Sequence, residues 1–373
     1  MTPRERVLAA LRHEETSPPP WNFMLSPEAE RRLRAHYGVE DLTAHLQPHL
    51  YLYACHGKPL YARPDRYGPT ITDEFGVVWA TSAIDRGYPV VHPLGEDGVL
   101  TPCAQASLSA WPPLPRTRRS GEGENGDDNG GGAQVPALQL PDPVAPQRWQ
   151  RVAGDSQRYP DHFRLAVIGD LWERAHFLRG LDRLLLDLHE QPDFVHELMA
   201  AICEYDLATL EGMAAYGPDG VFVSDDYGFQ DRMMMRPKAW REFVKPYLGP
   251  LLSAARERGL VTMLHTCGCV TPIIPDLIEL GLDILHPIQP EAMDIFALKR
   301  EFGKDITFCG GISTQRLLPF GTPDEVREEV LRTMEVMGQG GGYITEPGIT
   351  LQADVPPGNL VALVEAMRGE AKA

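Results

Sequence analysis

From residue 160 onward, short apolar runs alternate with longer helical segments, and this rhythm restricts the chain to folds built from repeated βα units. Residues 165–169, 220–224, 261–265, 283–286, 306–309 and 342–345 read as buried strands. Residues 192–215, 237–258, 272–280, 294–302, 323–337 and 357–368 read as the intervening helices. Several of these open on proline, whose missing N–H is harmless in a first helical turn. Short βα connections imply a parallel sheet, either open and doubly wound or closed into a barrel. Adding residues 21–24 and one strand somewhere between Ile71 and Val91 brings the count to eight, which favours an α/β fold of the (β/α)8 TIM-barrel class.

Two segments stand outside this rhythm. The first dozen residues predict a helical extension, with Thr2 as N-cap, Pro3 in the first turn and Glu5 completing a capping box. Residues 112–146 run from a proline cluster through arginines into a Gly/Asp/Glu/Asn tract, and such a segment cannot bury enough apolar surface to offset its chain entropy. It is expected to be a disordered surface insertion in one domain spanning 1–373, with a mobile lid as the second reading.

The formal net charge of −17 argues against a nucleic-acid partner, because binding phosphates needs a concentrated Lys/Arg field. Six irregularly spaced cysteines do not resemble a secreted disulfide framework, so a reducing cytoplasm is the expected compartment. The first residues lack an apolar signal core, and no stretch approaches the roughly 20 apolar residues of a membrane span.

In a barrel the catalytic groups gather at the C-terminal ends of the strands. Here those ends carry Asn22; Asp170, Glu173 and Arg174; Asp225 and Asp226; His265 and Cys267; His286 and Gln289; Cys309; and Thr345 and Glu346. A thiol and an imidazole one residue apart at a strand tip are donors that Zn²⁺ prefers. Cys309, two strands further on, is expected to reach the same space and complete a His265/Cys267/Cys309 zinc centre. Glu346, His286 or Cys269 are the substitute third ligands, and core packing of Cys309 is the plain alternative. Of the paired carboxylates, Asp226 is expected to face inward for acid–base work, with helix capping the competing role. Gly310 and Gly311 are read as an anion-receiving turn at a helix start. Arg174 either binds a substrate carboxylate or pairs with neighbouring acids.

The segments Arg4–His13, Gly169–Arg174, Asp225–Gln230, His265–Gly268, Ile288–Glu291, Gly310–Gln315 and Pro356–Leu360 resemble the uroporphyrinogen decarboxylase-like superfamily, and within it the cobalamin-dependent methyltransferase branch. That resemblance implies a zinc held by a His-x-Cys pair and a later Cys, a thiol-like methyl acceptor, and a methyl group carried by a corrinoid on a partner protein. His265 and Cys267 match the pair, whereas the loop after the last strand, Glu346-Pro-Gly-Ile-Thr350, holds no Cys. The expected function is a zinc-dependent methyltransferase acting between a corrinoid and a small methyl donor or acceptor. Asp226 and Glu346 are its expected catalytic groups, and Asn22, Arg174 and Gln289 are expected to bind substrate. A metal-free porphyrinogen decarboxylase and a non-catalytic barrel that binds a corrinoid protein are the alternatives.

Overall fold

A computed structural model of the protein describes residues 1–55, 57–83, 86–95 and 140–370. Its strands are β1 (Leu50–Ala54), β2 (Thr70–Thr72), β3 (Val78–Ala80), β4 (Tyr88–Val91), β5 (Phe163–Gly169), β6 (Gly220–Ser224), β7 (Val261–His265), β8 (Ile284–Ile288), β9 (Thr307–Ile312) and β10 (Tyr343–Pro347). Seven of them form one parallel sheet in the order β1-β5-β6-β7-β8-β9-β10. From β5 onward each strand lies beside the next in sequence, as short βα connections require.

The sheet curls around a single interior. One apolar cluster takes Leu50 from β1, Phe163 and Leu165 from β5, Phe222, Met263, Ile284, Cys309 and Ile344 from the strands that follow, and Val7 from the N-terminal helix Pro3–Leu11. That helix is capped as its sequence predicts: Glu5 N–H donates to Thr2 Oγ1 at 3.1 Å, and Thr2 N–H donates to Glu5 Oε2 at 2.8 Å. The outer faces of the strands pack against helices, among them Trp172–Arg179, Pro192–Ala214 and Lys245–Glu257.

The parallel sheet has seven strands, and not the eight of the closed (β/α)8 barrel that the sequence suggests. Residues 21–24 make only an isolated bridge at Trp21 rather than a strand. Pro18, Pro19 and Pro20 precede it, and prolines have no N–H with which to extend a ladder. The bridge nevertheless touches both edges of the sheet. Asn22 N–H donates to Thr345 O at 2.9 Å, Thr345 N–H donates to Pro20 O at 2.8 Å, and on the other side His49 N–H donates to Trp21 O at 2.9 Å.

The strand expected between Ile71 and Val91 is instead three short strands, β2, β3 and β4, which pair with one another in a separate antiparallel sheet. The segment read as one helix over 237–258 is two, Pro237–Phe243 and Lys245–Glu257, because Pro246 has no N–H to carry the first helix through. Most of the tract read as an insertion at 112–146 lies outside the described residues; at its end Pro146 opens the helix Pro146–Trp149. No helix among the described residues is long and apolar enough to cross a membrane.

Candidate metal centre and active-site cavity

The loops after β6 and β7 continue the strand ladder beyond the sheet and bring three potential ligands together. Asp225 N–H donates to His265 O at 2.8 Å, Gly228 N–H to Cys267 O at 3.1 Å, and Cys269 N–H to Phe229 O at 2.8 Å. Tyr227 N–H adds a bond to Thr266 Oγ1 at 3.0 Å. The loops approach so closely that a Cβ on Gly268, whose φ is +81°, would stand 2.4 Å from the carbonyl carbon of Gly228.

Within this zipped pair, Asp226 Oδ1 accepts the Cys267 N–H at 2.8 Å and lies 3.5 Å from His265 Nε2, which in turn is 3.4 Å from Cys267 Sγ. The donor atoms of Asp226, His265 and Cys267 all fall within 4.8 Å of one another. Donor pairs on a tetrahedral zinc with bonds of 2.0–2.3 Å are separated by about 3.3–3.8 Å, so this geometry fits the ion with little adjustment. The charges fit as well, since a thiolate and a carboxylate together offset a divalent cation and the imidazole binds neutral. Burial lowers the His265 pKa and favours that neutral ring. Burial raises Asp226, but the facing His265 ring, the Cys267 N–H and the Lys58 and Arg86 charges outweigh it and hold the carboxylate below its ordinary range.

Asp226 and His265 line a cavity of about 300 Å³ at the C-terminal end of the sheet. Its lining combines apolar Met24, Leu60, Val167 and Phe222 with charged Lys58, Arg86, Asp170 and Glu173. Lys58 Nζ is 2.9 Å from Asp170 Oδ2 and also pairs with Glu173. Burial opposes the lysine's charge, while the two carboxylates raise its pKa and keep it protonated. Burial also pushes the Glu173 carboxyl upward.

Of the paired carboxylates, Asp226 reaches the cavity and Asp225 does not. Asp225 accepts the backbone N–H groups of Trp172 at 3.1 Å and Glu173 at 2.6 Å, together with the Tyr227 hydroxyl at 2.6 Å. It holds the start of the helix Trp172–Arg179, and burial pushes its pKa up to about 8.

Cys309 falls in a different place from the one expected. The sequence reading ends its strand at Cys309, whereas β9 continues to Ile312, so the thiol is an interior residue rather than a strand tip. Its Sγ donates to Glu346 Oε2 at 3.1 Å, and it groups with His286 and Glu346 rather than with His265 and Cys267. Gly310 and Gly311 lie inside the same strand and form no turn; a Cβ on Gly310 would stand 2.7 Å from the Ile288 nitrogen, so the glycine permits close strand approach.

The three residues expected to bind substrate are engaged within the protein. Asn22 Nδ2 donates to Glu346 Oε1 at 3.0 Å. Gln289 accepts the Gly268 N–H at 2.6 Å and donates to Gly348 O at 3.0 Å, tying the loop after β7 to the loop after β10. Arg174 is buried against Asp170 at 3.1 Å and stacks 3.8 Å over the Phe75 ring, behind the cavity wall.

Sequence reasoning missed Lys58 and Arg86. Lys58 follows β1, a strand hidden in a Tyr-rich stretch without clear period, so nothing marked its position as a strand end.

Residues 168–369 match the family described as uroporphyrinogen decarboxylase (URO-D). A methylated-thiol–coenzyme M methyltransferase of Methanosarcina mazei is 24% identical over 172 residues, which are 45% of each chain. The methylcobamide:CoM methyltransferase MtaA of Methanosarcina barkeri is 25% identical over 177 residues, 48% of this chain and 49% of that one. A uroporphyrinogen decarboxylase of Chlorobium limicola is 23% identical over 188 residues, 49% of this chain and 51% of that one. The chain thus spans about half the length of the curated relatives it matches. A solved structure of a methyltransferase from Methanosarcina mazei superposes with a TM-score of 0.68 at 17% identity over 99% of both chains, a likeness of fold.

Proposed function

The chain belongs to the uroporphyrinogen decarboxylase family, and on that premise we propose that it is a zinc-dependent methyltransferase moving a methyl group between a corrinoid carried by a partner protein and a small thiol-like acceptor. The observation that carries this reading is the Asp226–His265–Cys267 group at the rim of the cavity, whose donor set and spacing suit zinc. When bound, zinc holds a thiol as its thiolate at neutral pH and so supplies the nucleophile.

The chain's own residues prepare the site. Asp226 fixes the Cys267 backbone and faces His265, so both side chains are oriented before any ion or substrate arrives. The apolar lining of Met24, Leu60, Val167 and Phe222 limits the water around the acceptor. Arg86 also lines the cavity and supplies positive charge for an anionic acceptor's distal group, whereas the charge of Lys58 is taken up by Asp170 and Glu173. Glu346, expected from the sequence to act on the acceptor, has no such role in this reading, because it is buried and does not line the cavity.

A porphyrinogen decarboxylase is disfavoured by charge. A polycarboxylate tetrapyrrole needs a cationic pocket, whereas this cavity sets Asp170, Glu173 and Asp226 against Lys58 and Arg86, with Lys58 already paired. The relatives' activities on coenzyme M and methylcobamide support the methyl-transfer reading, and a reducing cytoplasm, the compartment proposed with it, would keep the thiol of Cys267 free.

The test is demethylation of methylcobalamin by zinc-loaded protein with a series of thiols that includes coenzyme M, followed by the corrinoid's visible absorption. Zinc-dependent turnover that is lost in Cys267→Ser is the expected result. No turnover with any thiol, together with carboxyl loss from a porphyrinogen, would overturn the proposal.

A further inference from the structure

We propose that His286, Cys309 and Glu346 form a second site for a zinc-class divalent cation, seated inside the curled sheet one histidine away from the Asp226–His265–Cys267 group.

The three side chains project from β8, β9 and β10, consecutive neighbours in the sheet, so the ladder itself holds their spacing. Each is 1% exposed or less. One imidazole nitrogen, one sulfur and one carboxylate oxygen lie within 4.8 Å of each other. Cys309 Sγ is 3.1 Å from Glu346 Oε2, and His286 Nε2 is 3.6 Å from the same oxygen. These separations are within a few tenths of an ångström of the edges of a zinc tetrahedron, about 3.3–3.8 Å.

Two independent observations point to a ligand here. His286 Nε2 is fully buried and has no hydrogen-bond partner among the described residues, although it is aimed at the group; native proteins rarely leave a buried nitrogen so. Glu346 is also held from behind, since its Oε1 accepts the Asn22 amide at 3.0 Å and leaves Oε2 facing the group. Such outer support orients a carboxylate for metal binding. The interior is otherwise filled by Leu, Ile, Met and Phe, so core packing does not account for this polar trio.

The two sites are linked. His265 Nδ1 and His286 Nδ1 stand 3.0 Å apart. Two cations held on rings this close repel each other, so the second ion binds more weakly than the first.

The test is a Co²⁺ titration of the full-length chain, stripped of metal and kept reduced, with bound ion counted by elemental analysis and the thiolate-to-cobalt absorption recorded. Two equivalents of unequal affinity are expected. Cys309→Ser and the near-isosteric Glu346→Gln should each remove the weaker equivalent and spare the tighter one. Cys267→Ser should remove the tighter one, and the ion that remains should bind at least tenfold more tightly than the second ion of the wild type. Two equivalents persisting in both Cys309→Ser and Glu346→Gln would overturn the proposal. So would a single wild-type equivalent, whether Cys309→Ser leaves it intact or it is lost in both cysteine variants as one mixed site. Metal is counted rather than turnover, so the outcome is independent of the methyltransferase reading.

Discussion

His265 and His286 occupy paired positions on adjacent parallel strands, and their Nδ1 atoms meet at 3.0 Å. A ligating histidine needs a partner for its second nitrogen, and here that partner is another ring rather than a carboxylate. His286→Ala should therefore weaken zinc binding at Asp226, His265 and Cys267 by about 10- to 100-fold, measured by competition with a chromophoric chelator. Unchanged affinity would show that the contact does not orient His265.

The Gly228–Gly268 approach predicts a structural sensitivity beside the site. Gly268→Ala combines a φ of +81° with a Cβ only 2.4 Å from backbone, while Gly38→Ala, at φ +65°, meets nothing within 4 Å. Each carries the conformational cost of a left-handed alanine, about 1 kcal/mol. Gly268→Ala should lose a further 1–3 kcal/mol or so in denaturant unfolding and should also bind zinc less well. Equal losses in the two variants would show that the loops yield easily.

Lys58, in the loop after β1, is ion-paired with the buried carboxylates of Asp170 and Glu173, and its removal takes a cation from both. Lys58→Met is expected to destabilise by about 3–5 kcal/mol in urea unfolding. Adding Glu173→Gln should recover part of that loss, because the stranded charge is then gone. A double variant no more stable than the single one would contradict this.

His49 gives the protein an acid-sensitive joint. Burial pushes its pKa down from 6.5 to about 4, so the folded chain holds the ring neutral where the unfolded chain has protonated it. A depressed pKa contributes stability that is present above the unfolded value and is lost as the pH falls through the folded one. Between about pH 6.5 and 4 this residue should cost on the order of 3 kcal/mol. His49→Gln should flatten that part of the stability profile in denaturation curves taken across the range; an unchanged slope would place the sensitivity in other histidines.

Much of this architecture was legible because βα units announce themselves twice, once in the apolar run and once in the proline-led helix. The His265-x-Cys267 tip was legible for the same reason, since Gly268 marks where β7 turns. Cys309 was misplaced because Gly310 and Gly311 look like a turn. In the fold those glycines remain in the strand and let β9 press against β8, which carries the thiol into the interior. Lys58 was invisible because β1 is Tyr-rich and only partly buried, so no continuous apolar run announces it. Asp225 and Asp226 are adjacent in sequence with nearly opposite surroundings, and only the zipped loops decide which one faces the cavity.

Trp21 sets an order on how this protein is made. It joins the first strand region to β10 across more than three hundred residues, and Asn22 caps Glu346 over a separation of 324. Contacts so distant in sequence form late and slowly, because the loop must close before they give any return. On the ribosome the earlier βα units can dock as they emerge, yet the seam stays open until the C-terminal strand has been released. The interior group at Glu346 is therefore completed by the last step of assembly, and a nascent chain stalled before β10 has neither the seam nor that carboxylate.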